Sequence, residues 1–153
     1  MLTDTHSHLF LPQFDKDRDK VINAAIESGI IRILVPGIDL LSSRQAIALC
    51  EKYPGYLFAA VGVHPNSMED WTGESLHQLR ELTKSKHVIA IGEIGLDFYR
   101  LKNPIEKQKI MFNDQLVLAQ ELQLPICIHN RNADLDLIQI LSIWINNLSL
   151  IHI

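Results

Sequence analysis

The chain has 153 residues, a formal net charge of −4 and a hydrophobic fraction of 47%. This composition is typical of a globular protein with an apolar core, and it excludes an intrinsically disordered chain. The negative charge argues against a nucleic-acid binder that works by bulk electrostatics, but it leaves open an enzyme that meets phosphate through bound metal.

The two cysteines, Cys50 and Cys127, lack the CxxC spacing and predict no disulfide framework. The sequence shows neither a basic and apolar leader nor an apolar run of about 18 residues. We therefore expect a single domain over residues 1–153 in the cytoplasm, without a membrane partner or an obligate protein partner.

Apolar, β-branched runs alternate along the chain with segments whose apolar residues recur at helical spacing. The runs are too apolar to have a solvated face, which is typical of a parallel sheet covered by helices. Ser42 and Gln45 predict a capping box at the second helix. In chain order, the predicted elements are a strand over 1–8, a helix over 15–27, a strand over 30–38, a helix over 42–53, a strand over 56–63, a helix over 76–82, a strand over 88–91, a helix over 105–122, a strand over 125–129, a helix over 133–145 and a sixth strand over 148–153.

Polar residues stand at the carboxyl ends of successive predicted strands. They are His6 and His8, His64, Glu93, His129 and His152. A (β/α)8 barrel brings several strand ends together at one mouth, whereas a doubly wound sheet binds its ligands at one crevice. We therefore predict an α/β fold of the (β/α)8 TIM-barrel type, incomplete in this chain, with about five βα units and the start of a sixth.

The His-x-His of the first predicted strand is a candidate metal site. Alternate side chains of a strand share one face, so His6 and His8 would lie about 7 Å apart along the backbone and could grip one divalent ion. Asp4 could support them as an outer carboxylate.

Glu93 stands in an apolar strand, where a carboxylate must be protonated, paired or bound to metal. One interpretation is a salt bridge to Arg131 or a lysine, and another is a carboxylate that bridges two metals. His129 is likewise either a core histidine bonded to a backbone carbonyl or a ligand. A histidine-rich set favours Zn²⁺ or Mn²⁺ over Mg²⁺, and two such ions suit hydrolysis.

Several segments together carry a family signature. They are Asp4-Thr5-His6-Ser7-His8-Leu9, Gly62-Val63-His64-Pro65, Gly92-Glu93-Ile94-Gly95-Leu96-Asp97, and the stretch with Gln108, Phe112, Gln115 and Ile128-His129-Asn130-Arg131. In order and spacing they resemble the motifs of the TatD-like deoxyribonucleases of the metal-dependent hydrolase (amidohydrolase) superfamily. The resemblance covers about residues 1–140.

The resemblance implies a metal-dependent hydrolase that cleaves phosphodiester bonds of single-stranded DNA, as an exonuclease, with two divalent ions at the barrel mouth. It implies Mg²⁺ or Mn²⁺, while the ligand types also allow Zn²⁺. It does not identify the general base. The implied metal ligands are His6, His8, Glu93 as the catalytic bridging carboxylate, His129 and His152, and the implied substrate-binding residues are Arg131, Tyr99 and His64.

The chain also departs from that family. A full barrel needs about 250 residues, and the acidic residue that the family supplies from its eighth strand has no counterpart here. We therefore expect a copy truncated at the C-terminus. Two alternatives stay open: a related hydrolase that acts on another ester or an amide, and a non-catalytic fragment.

Overall fold

Five strands alternate with five helices in the computed structural model, which describes residues 1–67, 69 and 71–149, the last three by their backbone. This alternation confirms the predicted α/β class. A short 3-10 helix, Pro12–Phe14, precedes the first α-helix. The elements are β1 Leu2–Asp4, α1 Arg18–Glu27, β2 Ile30–Pro36, α2 Leu40–Lys52, β3 Leu57–Val61, α3 Gly73–Leu82, β4 Val88–Asp97, α4 Ile105–Leu122, β5 Ile126–Arg131 and α5 Asp134–Ser149.

The five strands form one sheet in the order β1-β2-β3-β4-β5, and every neighbouring pair is parallel. A doubly wound sheet reverses its strand order at a switch point, and the described strands show no such reversal. Sequential parallel order is the order of a barrel wall. The carboxyl ends of all five strands consequently lie along one edge of the sheet.

The observed elements differ from the predicted strands at both ends of the chain. Strand β1 ends at Asp4, so the predicted strand over 1–8 is too long. The sequence predicts a sixth strand from residue 148, but α5 continues through Ser149 because its apolar run extends the helix. Residues 150–153, and with them His152, lie outside the described part of the chain.

Helix α2 begins earlier than predicted, because Asp39 and not Ser42 is its N-cap. The Asp39 carboxylate accepts the backbone N–H of Ser42 at 2.7 Å, and the Ser42 hydroxyl accepts the backbone N–H of Asp39 at 2.9 Å. This reciprocal pair satisfies two N–H groups that the helix itself leaves unpaired.

The core lies between the sheet and the helices that cover it. Phe112 and Leu116 of α4 are at most 1% exposed, and they belong to one buried cluster with Val35, Ala59 and Ile91 from three strands. This tightly packed core holds the strand ends in place.

Within the described part of the chain, no helix is long and apolar enough to cross a membrane.

Two glutamines of α4, Gln108 and Gln115, are fully buried against the sheet. Gln115 accepts the backbone N–H of Val63 at 2.7 Å through Oε1 and donates to the Val63 carbonyl at 3.0 Å through Nε2. Gln108 makes the same two hydrogen bonds with the backbone of Asp97: its Oε1 accepts the N–H at 2.9 Å, and its Nε2 donates to the carbonyl at 3.1 Å. Seven residues are two helical turns, so both amides lie on one face of α4 and pair with backbone at the ends of β3 and β4.

We expect Gln115→Leu to lower the free energy of unfolding by about 2–3 kcal/mol, because the buried N–H and C=O of Val63 then lose their partners. Urea denaturation measures the loss. The matched control is Gln120→Leu, the same change at a half-buried position of α4. Equal unfolding midpoints for the two variants would contradict the role of this amide.

Candidate metal centre

The histidines and the glutamate of the sequence motifs gather at the carboxyl edge of the sheet. His6 and His8 follow β1, and the backbone N–H of Ser7 donates to the Leu34 carbonyl at 3.1 Å, which holds this segment beside β2. Glu93 lies within β4, which continues to Asp97, rather than at the strand's end as predicted.

The Glu93 carboxylate lies among three imidazoles. Its Oε2 is 3.2 Å from His6 Nε2 and 3.3 Å from His8 Nε2, while its Oε1 is 2.9 Å from His129 Nδ1. The residue is 5% exposed, so this carboxylate is almost removed from water. The described ion pairs of Glu93 are all with histidines, and the salt bridge to Arg131 considered from the sequence does not form.

The ring of His8 is oriented by a backbone carbonyl. His8 Nδ1 lies 2.9 Å from the Pro36 oxygen, which can only accept, so Nδ1 carries a proton. The other nitrogen, Nε2, faces His6 Nε2 at 3.1 Å and Glu93; it donates to Glu93 while it holds a proton, and in the neutral ring it offers a lone pair to an ion. A partner of this kind is typical of metal-ligating histidines, because it selects the tautomer that can bind the ion.

The electrostatics of the cluster follow from these contacts. Burial works to raise the pKa of Glu93, but hydrogen bonds from His129 and His8 outweigh it and hold that pKa well below its ordinary value. The hydrogen bonds to Glu93 in turn raise the pKa of His8 and of His129. The carboxylate therefore stays ionised and attracts positive charge, whether an imidazolium or a metal ion.

His129 lies between two carboxylates. Its Nε2 is 3.3 Å from Asp97 Oδ2, opposite the Glu93 contact, and Asp97 is 1% exposed. Both ring nitrogens face carboxylate oxygens, so the metal-free ring is an imidazolium when both donate, and an ion bound at one nitrogen would take the place of its proton. The sequence-based alternative, a core histidine bonded to a backbone carbonyl, does not describe these contacts.

His64 is held in the opposite tautomer from His8. Its Nδ1 accepts the backbone N–H of Asn66 at 3.0 Å, so the proton of the neutral ring is on Nε2. Burial, followed by repulsion from His129, lowers the pKa of His64 to about 4. The ring is packed 4.1 Å from that of His129 and is a neutral N–H donor at neutral pH.

Tyr99 lies just beyond the end of β4, and Arg131 is the last residue of β5. The Arg131 guanidinium is 4.0 Å above the Tyr99 ring, a cation–π contact, and the Tyr99 side chain is largely exposed. A stacked Arg–Tyr pair offers both a cation and an aromatic surface at this edge.

Two triplets in the described residues have donor atoms within 4.8 Å of one another: His6, His8 and Glu93, and His64, Glu93 and His129. Neutral imidazole and carboxylate are ligands that divalent transition metals prefer. The fit is better in the first triplet, where the bond from His8 Nδ1 to Pro36 leaves Nε2 to bind the ion, than at His64, whose Nδ1 already accepts a backbone N–H. Glu93 belongs to both triplets, as a bridging carboxylate would.

The sequence model for the family described as TatD related DNase matches residues 3–152. The chain belongs to this family. It is 43% identical over 145 residues to the 3'-5' ssDNA/RNA exonuclease TatD of Erwinia tasmaniensis, an alignment that covers 95% of this chain and 56% of the relative. It is also 43% identical to the metal-dependent hydrolase YabD of Bacillus subtilis, over 92% of this chain and 55% of that protein. The TatD-family chain thus spans little more than half the length of these relatives.

Solved structures of the TatD family share the same fold. The crystal structure of YjjV, a TatD homologue from Escherichia coli K12, superposes with a TM-score of 0.86 at 32% identity, over 94% of this chain and 56% of that chain. A TatD-family hydrolase from Entamoeba histolytica gives the same TM-score at 27% identity, over 95% and 55%. The five strands are a half-barrel of the TIM-barrel type, which confirms the predicted fold class.

The structure adds contacts to the centre that the sequence did not reveal. Asn66 donates from Nδ2 to Asp97 Oδ2 at 2.7 Å, and Cys127 Sγ lies 3.5 Å from His6 Nδ1. Burial raises the pKa of Cys127 to about 11. Asn66 follows the Gly-Val-His-Pro motif by one residue, which is the one signal that could have indicated it. The Pro36 carbonyl is backbone and has no sequence signal.

Proposed function

We propose that this TatD-family chain carries the metal centre of a hydrolase that cleaves phosphodiester bonds in single-stranded DNA, with RNA as a further substrate. One observation carries the proposal: each oxygen of the buried Glu93 carboxylate faces a separate set of imidazole nitrogens. That is the arrangement of a carboxylate shared by two ions. The relatives named as ssDNA/RNA exonuclease support nucleic acid as the substrate and exonucleolytic cleavage.

Under this proposal the ligands divide by the oxygen of Glu93 that they face. His6 and His8 would hold one ion together with Glu93, and His129 would hold the other together with Glu93, with His152 as a further ligand. When bound, such ions supply a water of lowered pKa and neutralise charge on the phosphoryl oxygens. Mn²⁺ and Zn²⁺ suit the imidazole ligands, and Mg²⁺ suits the carboxylates and the phosphate.

The other residues of the edge bind and orient the strand. His64 presents Nε2–H, which can donate to a non-bridging phosphate oxygen without itself binding metal. Arg131 suits phosphate, and the exposed Tyr99 ring can stack on a base. This Arg–Tyr pair favours a phosphodiester over the acyl or amide substrates that a similar barrel mouth could serve.

The cytoplasmic location expected from the cysteines belongs to the same proposal.

The direct test is cleavage of a labelled single-stranded oligonucleotide by the purified 153-residue chain with Mg²⁺ or Mn²⁺. We expect cleavage that a chelator abolishes and that His6→Ala lowers by at least roughly 100-fold, since even the loss of a partner behind a ligand costs 10–100-fold. The matched control is His77→Ala, which removes an exposed imidazole from α3.

Two results would contradict the proposal. One is cleavage that survives both the chelator and His6→Ala, because the centre would then not be responsible. The other is turnover of ester, lactone or amide substrates by a chain that leaves DNA intact.

A further inference from the structure

A cavity of about 380 Å³ lies beside the metal centre, between the start of α2, the segment after β3 and the start of α3. Its wall includes Trp71, Asn66 and Val63, together with Asp39 and Glu69. The volume is in the range of pockets that bind small organic molecules. No ligand of the proposed metal centre lines it.

Asn66 connects this cavity to the metal centre. It is 9% exposed, its side-chain amide donates to Asp97, and its backbone N–H donates to His64. Asp97 in turn contacts His129. The wall of the cavity and the centre therefore share one hydrogen-bonded network, and a nucleotide unit could reach from one to the other.

Trp71 is the aromatic surface of the cavity. The side chain is half-buried, and its Nε1 donates to Asp114 Oδ2 of α4 at 3.3 Å. This bond fixes the plane of the indole. An anchored ring stacks on a flat ligand at a lower entropic cost than a mobile one would.

The charges of the wall indicate which part of a nucleotide would enter. Asp39 and Glu69 line the cavity, and no lysine or arginine is among its described lining residues. Two carboxylates repel a phosphate, but they favour a neutral ring that carries N–H donors. The side-chain oxygen of Asn66, another residue of this wall, is buried without a partner among the described residues.

We propose that this cavity is a base subsite, in which a nucleobase with an exocyclic amino group stacks on Trp71 while its phosphate lies toward the metal centre. The proposal rests on the proposed function, because the base belongs to the strand that is cleaved. It assigns the cavity to adenine, cytosine or guanine in preference to thymine, which lacks the amino group.

The test uses deoxyadenosine, a nucleoside without phosphate, in the presence of a chelator. The chain has two tryptophans, so Trp144→Phe leaves Trp71 as the fluorophore and Trp71→Phe leaves Trp144. We expect saturable quenching in the Trp144→Phe chain and none in the Trp71→Phe chain. By calorimetry, Trp71→Leu should bind deoxyadenosine about tenfold more weakly than the unaltered chain, while Trp71→Phe retains most of the affinity.

The chelator separates this proposal from the proposed function. Quenching by deoxyadenosine in a chain that cleaves no DNA would support the subsite and contradict the hydrolase. Metal-dependent cleavage without any quenching would overturn the subsite and leave the hydrolase standing. Quenching of Trp71 by inorganic phosphate alone, or equally by thymidine and deoxyadenosine, would overturn the assignment to amino-bearing bases.

Discussion

Glu93→Gln is expected to abolish binding of the paired ions and to lower metal-dependent cleavage by at least about 100-fold. The amide has nearly the shape of the carboxylate, but it has no charge and one acceptor oxygen in place of two. It can serve at most one side of the cluster, whereas the carboxylate faces His6 and His8 with one oxygen and His129 with the other.

Metal content after dialysis and the calorimetric affinity for Mn²⁺ measure this effect, with cleavage as the second readout. The control is Glu106→Gln, because that side chain is 81% exposed in the first turn of α4. Circular dichroism should show the same fold in both variants. Unchanged metal content in Glu93→Gln would refute the bridging role, whatever the effect on cleavage.

Gly95→Ala is expected to cost roughly 3 kcal/mol or more of stability and to displace His129. Gly95 adopts φ +145°, and a Cβ at this position would overlap the His129 carbonyl oxygen. Strand β5 pairs with β4 at this point, with Gly95 opposite His129. A methyl group must therefore separate the two strands where Glu93 and His129 meet.

Urea denaturation of Gly95→Ala and Gly73→Ala measures this prediction. Gly73, in the first turn of α3, has nothing within 4 Å of its built Cβ, so its substitution should be neutral or slightly stabilising. Equal midpoints for the two variants would show that β5 moves aside without cost. Metal affinity should fall in Gly95→Ala alone.

The elements that the sequence predicts well are those decided by local pattern. Helix α4 occupies the predicted residues 105–122, because a long run of apolar residues at helical spacing follows a proline. The parallel class of the sheet followed from strands that are apolar on both faces. The predicted N-cap of helix α2 is three residues late. Asp and Ser both favour the N-cap position, and Asp39, not Ser42, occupies it.

The histidine pair shows where such reasoning stops. In a strand, as predicted, His6 and His8 would point the same way about 7 Å apart along the backbone. The regular strand ends at Asp4, the following segment is held beside β2 by the hydrogen bond from Ser7 to Leu34, and the two Nε2 atoms lie 3.1 Å apart. The contact with β2 and the convergence of the two rings depend on the neighbouring strand and so have no signature in residues 1–8.

The sequence by itself determined the residue types of the centre, the strand with which each is associated and the family to which the chain belongs. Only the tertiary structure decided that Glu93 divides its oxygens between two sets of imidazoles, and that Pro36 and Asn66 select opposite tautomers in His8 and His64. The physical reason is that hydrogen-bond partners and distances between strands arise from packing. Local pattern predicts the succession of strands along the chain, but it does not specify the distances between side chains of neighbouring strands.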